Sequence, residues 1–193
     1  MEASQESLRE ALKRVAVALK QGDVPFALTG GYAVWARGGP EPDHDVDFLI
    51  AAADVQRAEE CLESQGLEVV HPPEDWLFKV FSDGAMVDLI HRHSSGPAER
   101  AVVQDADVLE VLSVQMPVLS ATEVVVQKML ALDEHYCDFG PMIPVVRALR
   151  EQVDFDRVRE ETAGSPFAAA LLFLLERLGV VSEPRGPRQE ADA

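Results

Sequence analysis

The 193-residue chain has few basic residues and few cysteines, and each scarcity narrows its possible functions. It carries 17 lysines and arginines against 34 acidic residues, which gives a formal net charge of −17. Because nucleic-acid backbones are bound through Lys and Arg, extended nucleic-acid binding is not expected. The acidity fits either a soluble surface or a site for a cation. Cys61 and Cys137 are too few for a disulfide framework and have no metal-binding spacing.

Long apolar stretches and several common motifs are also missing. No apolar run approaches the length of about 18 residues that a membrane span needs, and the first ten residues lack the apolar segment of a signal peptide. We therefore predict a cytoplasmic protein without membrane contact. The chain contains no G-x-x-x-x-G-K-[ST], no G-x-G-x-x-G and no nucleophile elbow, which argues against P-loop, Rossmann and serine-hydrolase chemistry.

The apolar pattern changes character near residue 120. Before it, short apolar strands alternate with helices, one of which is predicted to begin at an Asp54 cap. From there to Gly179 the pattern is helical throughout, beginning at the capping box Ser120 and Glu123. Pro and Gly without large apolar residues then predict a disordered end. We predict an α/β core at 1–119, a helical subdomain at 120–181 and a disordered tail at 182–193.

Gly30 and Gly31 stand between a predicted buried strand at 26–29 and a predicted helix that starts near Tyr32. Glycines at such a junction allow a ligand to approach the backbone closely, and phosphates are the usual ligands there. The same pair is also common in an ordinary turn.

Asp45 and Asp47 lie in a predicted strand that ends at Ile50. Residues two apart in a strand face the same side, so the two carboxylates project together while Val46 and Phe48 face the core. Such a pair suits Mg²⁺, which prefers one or two carboxylates together with substrate phosphates. A solvated strand face is the alternative interpretation.

Asp88 interrupts the apolar strand 85–90, which is joined to a predicted strand at 76–81 by the hairpin turn Ser82-Asp83-Gly84. A carboxylate in an apolar strand is costly unless it is paired, bound to metal or open to solvent at an edge. In the first of these strands, Trp76 and Phe78 are predicted to pack in the core.

These three features, in this order, resemble the minimal nucleotidyltransferase domain of the DNA polymerase β-like superfamily over residues 26–89. The resemblance implies an α+β fold, with a small mixed β-sheet flanked by helices and a helical C-terminal subdomain. The helical part is similar to bacterial nucleotidyltransferases of the abortive-infection toxin type, in which a helical Lys precedes an Asp. Lys128 and Asp138 match those positions, and Lys128 is expected to bind the nucleotide.

The resemblance also implies roles for the other motif residues. Gly30 and Gly31 would hold the phosphates of an NTP, and Asp45 and Asp47 would bind Mg²⁺. Asp88 would hold a second Mg²⁺ and activate the acceptor. The expected reaction transfers an NMP from an NTP to a hydroxyl-type acceptor and releases pyrophosphate.

The chain departs from the family pattern in two places. Many relatives have Ser where this chain has Gly31, and many have a basic residue before the Asp-x-Asp strand, where 39–44 has none. Arg37, Lys79 and Lys128 are the candidate replacement cations.

Three acceptor classes are compatible with these motifs. They are a small molecule such as a cationic aminoglycoside, a tRNA end and a protein side chain. A catalytically silent nucleotide- or partner-binding module on the same fold is the alternative function.

Overall fold

The computed structural model describes residues 4–93 and 96–182, so the predicted disordered tail lies outside the described residues except for Ser182. The α-helices are α1 (Gln5–Gln21), α2 (Gly30–Ala36), α3 (Val55–Ser64), α4 (Arg100–Gln104), α5 (Ala121–Leu130), α6 (Met142–Leu149), α7 (Phe155–Glu161) and α8 (Pro166–Arg177). The strands are β1 (Phe26–Thr29), β2 (Val46–Ile50), β3 (Glu68–Val70), β4 (Leu77–Ser82), β5 (Ala85–Ile90), β6 (Arg92–His93), β7 (Gly96–Pro97), β8 (Asp107–Val111) and β9 (Val114–Val118).

Seven strands form one mixed sheet in the order β3-β4-β5-β2-β1-β9-β8. The pairs β2–β5 and β1–β9 are parallel, and the other neighbours are antiparallel. Strands β6 and β7 form a separate two-stranded ribbon. The predicted α+β fold with a mixed sheet is confirmed.

The central strands are apolar because both faces of the sheet are covered. Helix α1 packs against β5 with its buried stripe, and α2 packs against β2 and α5. One hydrophobic cluster runs from α1 through the sheet to α8. The last strand ends at Val118, close to the predicted change at residue 119, but the two-part division stays a prediction because the core is shared.

The segment after Ser120 is mainly helical, as predicted, and breaks divide it into separate helices. It contains four helices, α5 to α8, and the longest break lies between α5 and α6. There the side chain of Asp133 accepts the N–H groups of His135 and Tyr136, at 2.7 and 2.9 Å, and so closes a turn. A short polar side chain that binds nearby backbone competes with the helix for those donors.

The predicted hairpin between β4 and β5 is present, but its turn has two residues, because Ser82 belongs to β4 and pairs with Ala85. Asp83 and Gly84 have φ values of 50° and 81°, which is the left-handed conformation that a type I′ turn requires. This turn sets Ser82 opposite Ala85 and therefore Lys79 opposite Asp88.

None of the helices in the described ranges has the length and apolar character to cross a bilayer.

Candidate active site

Four polar residues lie side by side across the middle of the sheet. Thr29 on β1 is opposite Asp47 on β2, Asp47 is beside Asp88 on β5, and Asp88 is opposite Lys79 on β4. Residues in register on neighbouring strands project from the same face, so this row forms one polar line on an otherwise apolar sheet.

Asp45 adds a third carboxylate to the row, from the residue that directly precedes β2. One oxygen from each of Asp45, Asp47 and Asp88 lies within 4.8 Å of the others. Three carboxylates at this spacing form a donor set of the hard oxygen type that suits Mg²⁺. The structure thus brings together all three carboxylates that the sequence indicated.

The electrostatics of the cluster show an excess of negative charge. Burial, and then the charges of Asp45 and Asp88, raise the pKa of Asp47 to about 7. Lys128 on α5 partly opposes that rise. Burial likewise raises the pKa of Asp88, although the nearby Lys79 ammonium lowers it. A divalent cation would relieve this repulsion, because it stabilises the ionised form of every carboxylate that it contacts.

Close packing requires both glycines, Gly30 beside Asp47 and Gly31 beside Pro42. Gly30 has φ +60°, and a Cβ atom there would lie 1.8 Å from Oδ2 of Asp47. A Cβ atom on Gly31 would lie 2.7 Å from Cβ of Pro42. The backbone N–H of Gly31 also faces the Asp47 carboxylate and lowers its pKa. Gly30 thus allows Asp47 to lie against the backbone, and Gly31 allows the loop before β2 to pack closely.

Of the three candidate cations, Lys79 and Lys128 lie beside the carboxylates and Arg37 does not. The Arg37 guanidinium donates to the carbonyl oxygen of Leu119 at 2.6 Å and to Asp107 at 2.6 Å, which fixes it on the far side of β1. Asp138 is exposed and accepts the N–H of Gly140 at 2.9 Å, so it closes a turn outside the carboxylate cluster.

A chain of hydrogen bonds that the sequence did not reveal joins the row to the C-terminal helices. Thr29 Oγ1 donates to Gln127 Oε1 at 3.0 Å, and Gln127 Nε2 donates to Glu123 at 3.0 Å. Arg157 on α7 donates to Glu123 at 2.9 Å and to Glu161 at 2.5 Å. The only part of this chain of hydrogen bonds that the sequence indicates is the contact of Glu123 with Gln127, because residues four apart on a helix are neighbours.

The loop that carries Asp45 is anchored to α1. Arg9 makes two hydrogen bonds of 2.7 Å to the carboxylate of Glu41, and its guanidinium also lies over the ring of Trp35, 5.6 Å from the centroid. Such a bidentate pair fixes direction as well as distance. Arg9 therefore helps to hold the loop that leads to Asp45.

Among the solved structures that are similar to this fold are nucleotidyltransferases. ANT(2")-Ia in complex with adenylyl-2"-tobramycin is 14% identical over 86% of this chain and 97% of its own, with a TM-score of 0.57. An antigenic nucleotidyltransferase-like protein from Paracoccidioides brasiliensis is 14% identical over 92% of this chain and 91% of its own, with a TM-score of 0.51. At these identities the similarity shows the fold.

Two further comparisons concern the sequence itself. A search of curated proteins found no match. A family model described as "Uncharacterised nucleotidyltransferase" matches residues 1–183, which is nearly the whole chain. With the carboxylate cluster on a nucleotidyltransferase fold, this match shows that the chain belongs to that family of nucleotidyltransferases.

Proposed function

We propose that the protein transfers an NMP from an NTP to a hydroxyl group of a small molecule, with Mg²⁺ as cofactor. The observation that carries the proposal is the cluster of Asp45, Asp47 and Asp88, whose oxygens lie within 4.8 Å of one another on one sheet face. Clustered carboxylates with raised pKa values are typical of sites that bind a cation or act in catalysis.

The three carboxylates would hold Mg²⁺. Asp45 and Asp47 would face the nucleotide, and Asp88 would face the acceptor and accept its hydroxyl proton. When bound, Mg²⁺ supplies charge neutralisation for the attacking and leaving oxygens of an in-line displacement. The raised pKa values of Asp47 and Asp88 support this assignment, because they indicate negative charge that the protein alone does not neutralise.

The nucleotide would lie between Gly30, Gly31 and Lys128. The lack of side chains at the two glycines lets a phosphate approach the backbone next to Asp47. The charge of Lys128 lowers the pKa of the same carboxylate, and in this neighbourhood it would stabilise the leaving pyrophosphate. The hydroxyl that attacks the α-phosphorus would displace pyrophosphate, and the new P–O bond would replace the bond to the β-phosphate.

A small molecule is favoured over a tRNA end as acceptor because free positive charge is scarce near the row. Lys79 is paired with Asp88, and Arg157 is paired with Glu123 and Glu161. A polynucleotide would need several unpaired cations to neutralise its phosphates. The adenylylated small molecule in ANT(2")-Ia supports the same choice, since it is carried by the same fold.

The experiment that tests this function is transfer of label from each of the four α-³²P-NTPs, with Mg²⁺, to separate pools of small hydroxylated compounds, tRNA and proteins. We expect transfer to the small-molecule pool. Asp47→Asn and Asp88→Asn should each reduce it by at least about 100-fold, because each removes a charge needed in the transition state.

Asp83→Asn is the matched control, because Asp83 is an exposed carboxylate in the β4–β5 turn and its neutralisation should leave transfer within about twofold. Binding of Mg-NTP without transfer to any pool would instead indicate the catalytically silent module. Transfer to tRNA alone would contradict the small-molecule assignment.

A further inference from the structure

A cavity of about 670 Å³ opens on the sheet face that carries the carboxylates. This volume is typical of sites for small organic ligands. Its walls come from the end of β5, from the β6 segment and from helices α5 and α7. The lining residues are Asp75, Trp76, Ile90, Arg92, His93, Glu123, Val126, Gln127, Leu130, Ala131 and Glu161.

The strand directions place this cavity on one side of the carboxylate row and the glycines on the other. Ile90 lies two residues beyond Asp88 on β5 and therefore on the same face. Strand β1 is antiparallel to β2, so Gly30, which follows Thr29, lies toward the beginning of β2. Ile90 pairs with Leu49, near the end of β2. The row of Asp47 and Asp88 therefore separates the glycines from the cavity.

The geometry of in-line displacement indicates which substrate group lies on each side of the row of Asp47 and Asp88. The attacking oxygen and the leaving oxygen lie on opposite sides of the phosphorus atom. Since pyrophosphate is expected at Gly30 and Gly31, the attacking hydroxyl must come from the other side, past Asp88. The cavity that begins at Ile90 is the space on that side.

The wall of the cavity is mainly apolar, and it includes a partly exposed aromatic ring. Trp76 was predicted to pack in the core with Phe78, but Trp76 is 42% exposed while Phe78 is buried. The difference arises because Phe78 lies within β4, where its side chain points into the core. Trp76 precedes β4 and is therefore not bound by the strand alternation. With Ile90, Val126 and Leu130, the indole offers an apolar surface that a ligand could cover.

The carboxylates of the wall are already paired with arginine side chains. Asp75 lies 3.4 Å from Arg92, and Glu123 and Glu161 both pair with Arg157. The three carboxylates of the lining are thus paired with two guanidinium groups, Arg92 in the lining and Arg157 outside it, and about one unit of negative charge is left over from these pairs. The wall therefore attracts a single cationic group and gives no advantage to a polycation.

We propose that this cavity is the acceptor site, and that the acceptor is a hydroxylated compound with an apolar body and at most one positive charge. The inference rests on the proposed function, whose acceptor it specifies. It differs from the expectation drawn from the net charge, because the carboxylates of this wall are paired with arginines and are not free to bind a polycation.

Binding of simple probes to the full chain, measured by ligand-observed NMR with Mg²⁺ and α,β-methylene-ATP present, tests the inference. The probes are 2-phenylethanol and 2-amino-1-phenylethanol, with spermine and tobramycin as polycations. We expect saturable binding of the two aryl alcohols and a Kd about fivefold higher in Trp76→Ala. Phe173→Ala is the matched control, because Phe173 on α8 is also an exposed aromatic residue but does not line the cavity.

A second variant tests the charge argument independently of the apolar wall. Arg92→Gln leaves three carboxylates facing one guanidinium group, so binding of spermine should strengthen while binding of 2-phenylethanol should not change. Tighter binding of tobramycin than of the aryl alcohols to the wild type would overturn the inference. An unchanged Kd of the aryl alcohols in Trp76→Ala, or no binding of either, would also overturn it.

Nucleotide binding separates this inference from the proposed function. If Mg²⁺ and α,β-methylene-ATP bind in calorimetry but the aryl alcohols do not, only the assignment of the cavity fails. If none of the four α,β-methylene nucleoside triphosphates binds with Mg²⁺, the proposed function fails with it.

Discussion

The Lys79 ammonium lies 2.9 Å from Oδ1 of Asp88 and 3.2 Å from Oδ2, directly across the β4–β5 hairpin. Both residues are largely shielded, with 24% and 10% of their side chains exposed. A carboxylate at this depth needs a positive partner to stay ionised. Lys79 supplies that partner before any cation binds, and it does so without occupying the side of Asp88 that faces Asp47.

Replacing Lys79 should lower the stability of the protein, because it leaves the buried Asp88 carboxylate without a positive partner. Lys79→Met should lower the free energy of unfolding at pH 7 by about 1–3 kcal/mol, because Asp88 would be buried without its partner. The loss should shrink as the pH is lowered, since a protonated Asp88 needs no counter-charge. Urea unfolding at pH 5 and pH 7 measures both effects.

Lys13→Met is the matched control, because Lys13 forms an exposed i,i+3 pair with Glu10 on α1. Such a pair contributes about 0–1 kcal/mol. An equal destabilisation by the two substitutions would contradict the role given to Lys79.

Protons should compete with Mg²⁺ at Asp47. With a raised pKa of about 7, this carboxyl is mostly protonated at pH 6 and ionised at pH 8. Mg²⁺ affinity should therefore be about tenfold weaker at pH 6 than at pH 8, since a ligand must lose its proton to bind. Calorimetric titration of Mg²⁺ at the two pH values measures this ratio, and equal affinities would contradict it.

The same carboxyl should make the metal-free protein less stable at higher pH. Its folded pKa is above the unfolded value of 3.8, so folding favours the protonated form. Stability from this group is therefore greatest below pH 4, declines as the pH rises to about 7, and then levels off. Asp47→Asn should remove the decline and raise the metal-free stability at pH 8 by about 1–2 kcal/mol. A lower Tm for this variant would count against the electrostatic argument.

The ion pair of Asp54 and Arg100 should respond to pH in the opposite direction. The Asp54 side chain is fully buried, and Arg100 donates Nε to it at 2.7 Å, which lowers the pKa of Asp54. The stability from this pair is present above the unfolded pKa of 3.8 and is lost as the pH falls through the lower folded pKa. Arg100→Met should destabilise the protein at pH 7 and have a smaller effect near pH 3, measured by thermal unfolding.

Arg57→Met is the control for that substitution. Arg57 pairs with Asp23 at 3.5 Å on the surface, where both side chains are exposed. Its loss should change stability by less than about 1 kcal/mol, because solvent screens exposed pairs. If Arg100→Met costs no more than this control, the buried pair does not have the importance that its geometry indicates.

The parts of the site that follow strand periodicity were predictable from the sequence. Residues two apart in an extended segment share a face, so the sequence predicted that Asp45 and Asp47 project together. The predicted three-residue turn at 82–84 would have set Lys79 opposite Val87, whereas the observed two-residue turn sets it opposite Asp88. The shared face depends only on local geometry, which the sequence states directly, whereas the pairing of Lys79 depends on where β4 ends.

Contacts between distant segments were not predictable in this way. Asp54 was expected to cap α3, but its side chain makes no capping hydrogen bond and pairs instead with Arg100, 46 residues away. The bond between Thr29 and Gln127 depends on how α5 lies over the sheet. Such contacts are decided by tertiary packing, which no local pattern in a single sequence specifies.

The contact between Gly30 and Asp47 gives the sharpest test of the site with the least change in chemistry. Gly30→Ala should lower activity by at least about 100-fold, because the added methyl group would occupy the position of Asp47 Oδ2, 1.8 Å away, and displace that carboxylate. Gly66→Ala has the same cost of a left-handed backbone, with φ +73°, but nothing lies within 4 Å of its added Cβ. Both variants should lose about 1–2 kcal/mol of stability from the backbone, and only Gly30→Ala should also lose Mg²⁺ affinity. Label transfer and calorimetry on the pair separate displacement of Asp47 from a general loss of stability, and equal activities would show that Asp47 does not depend on this glycine.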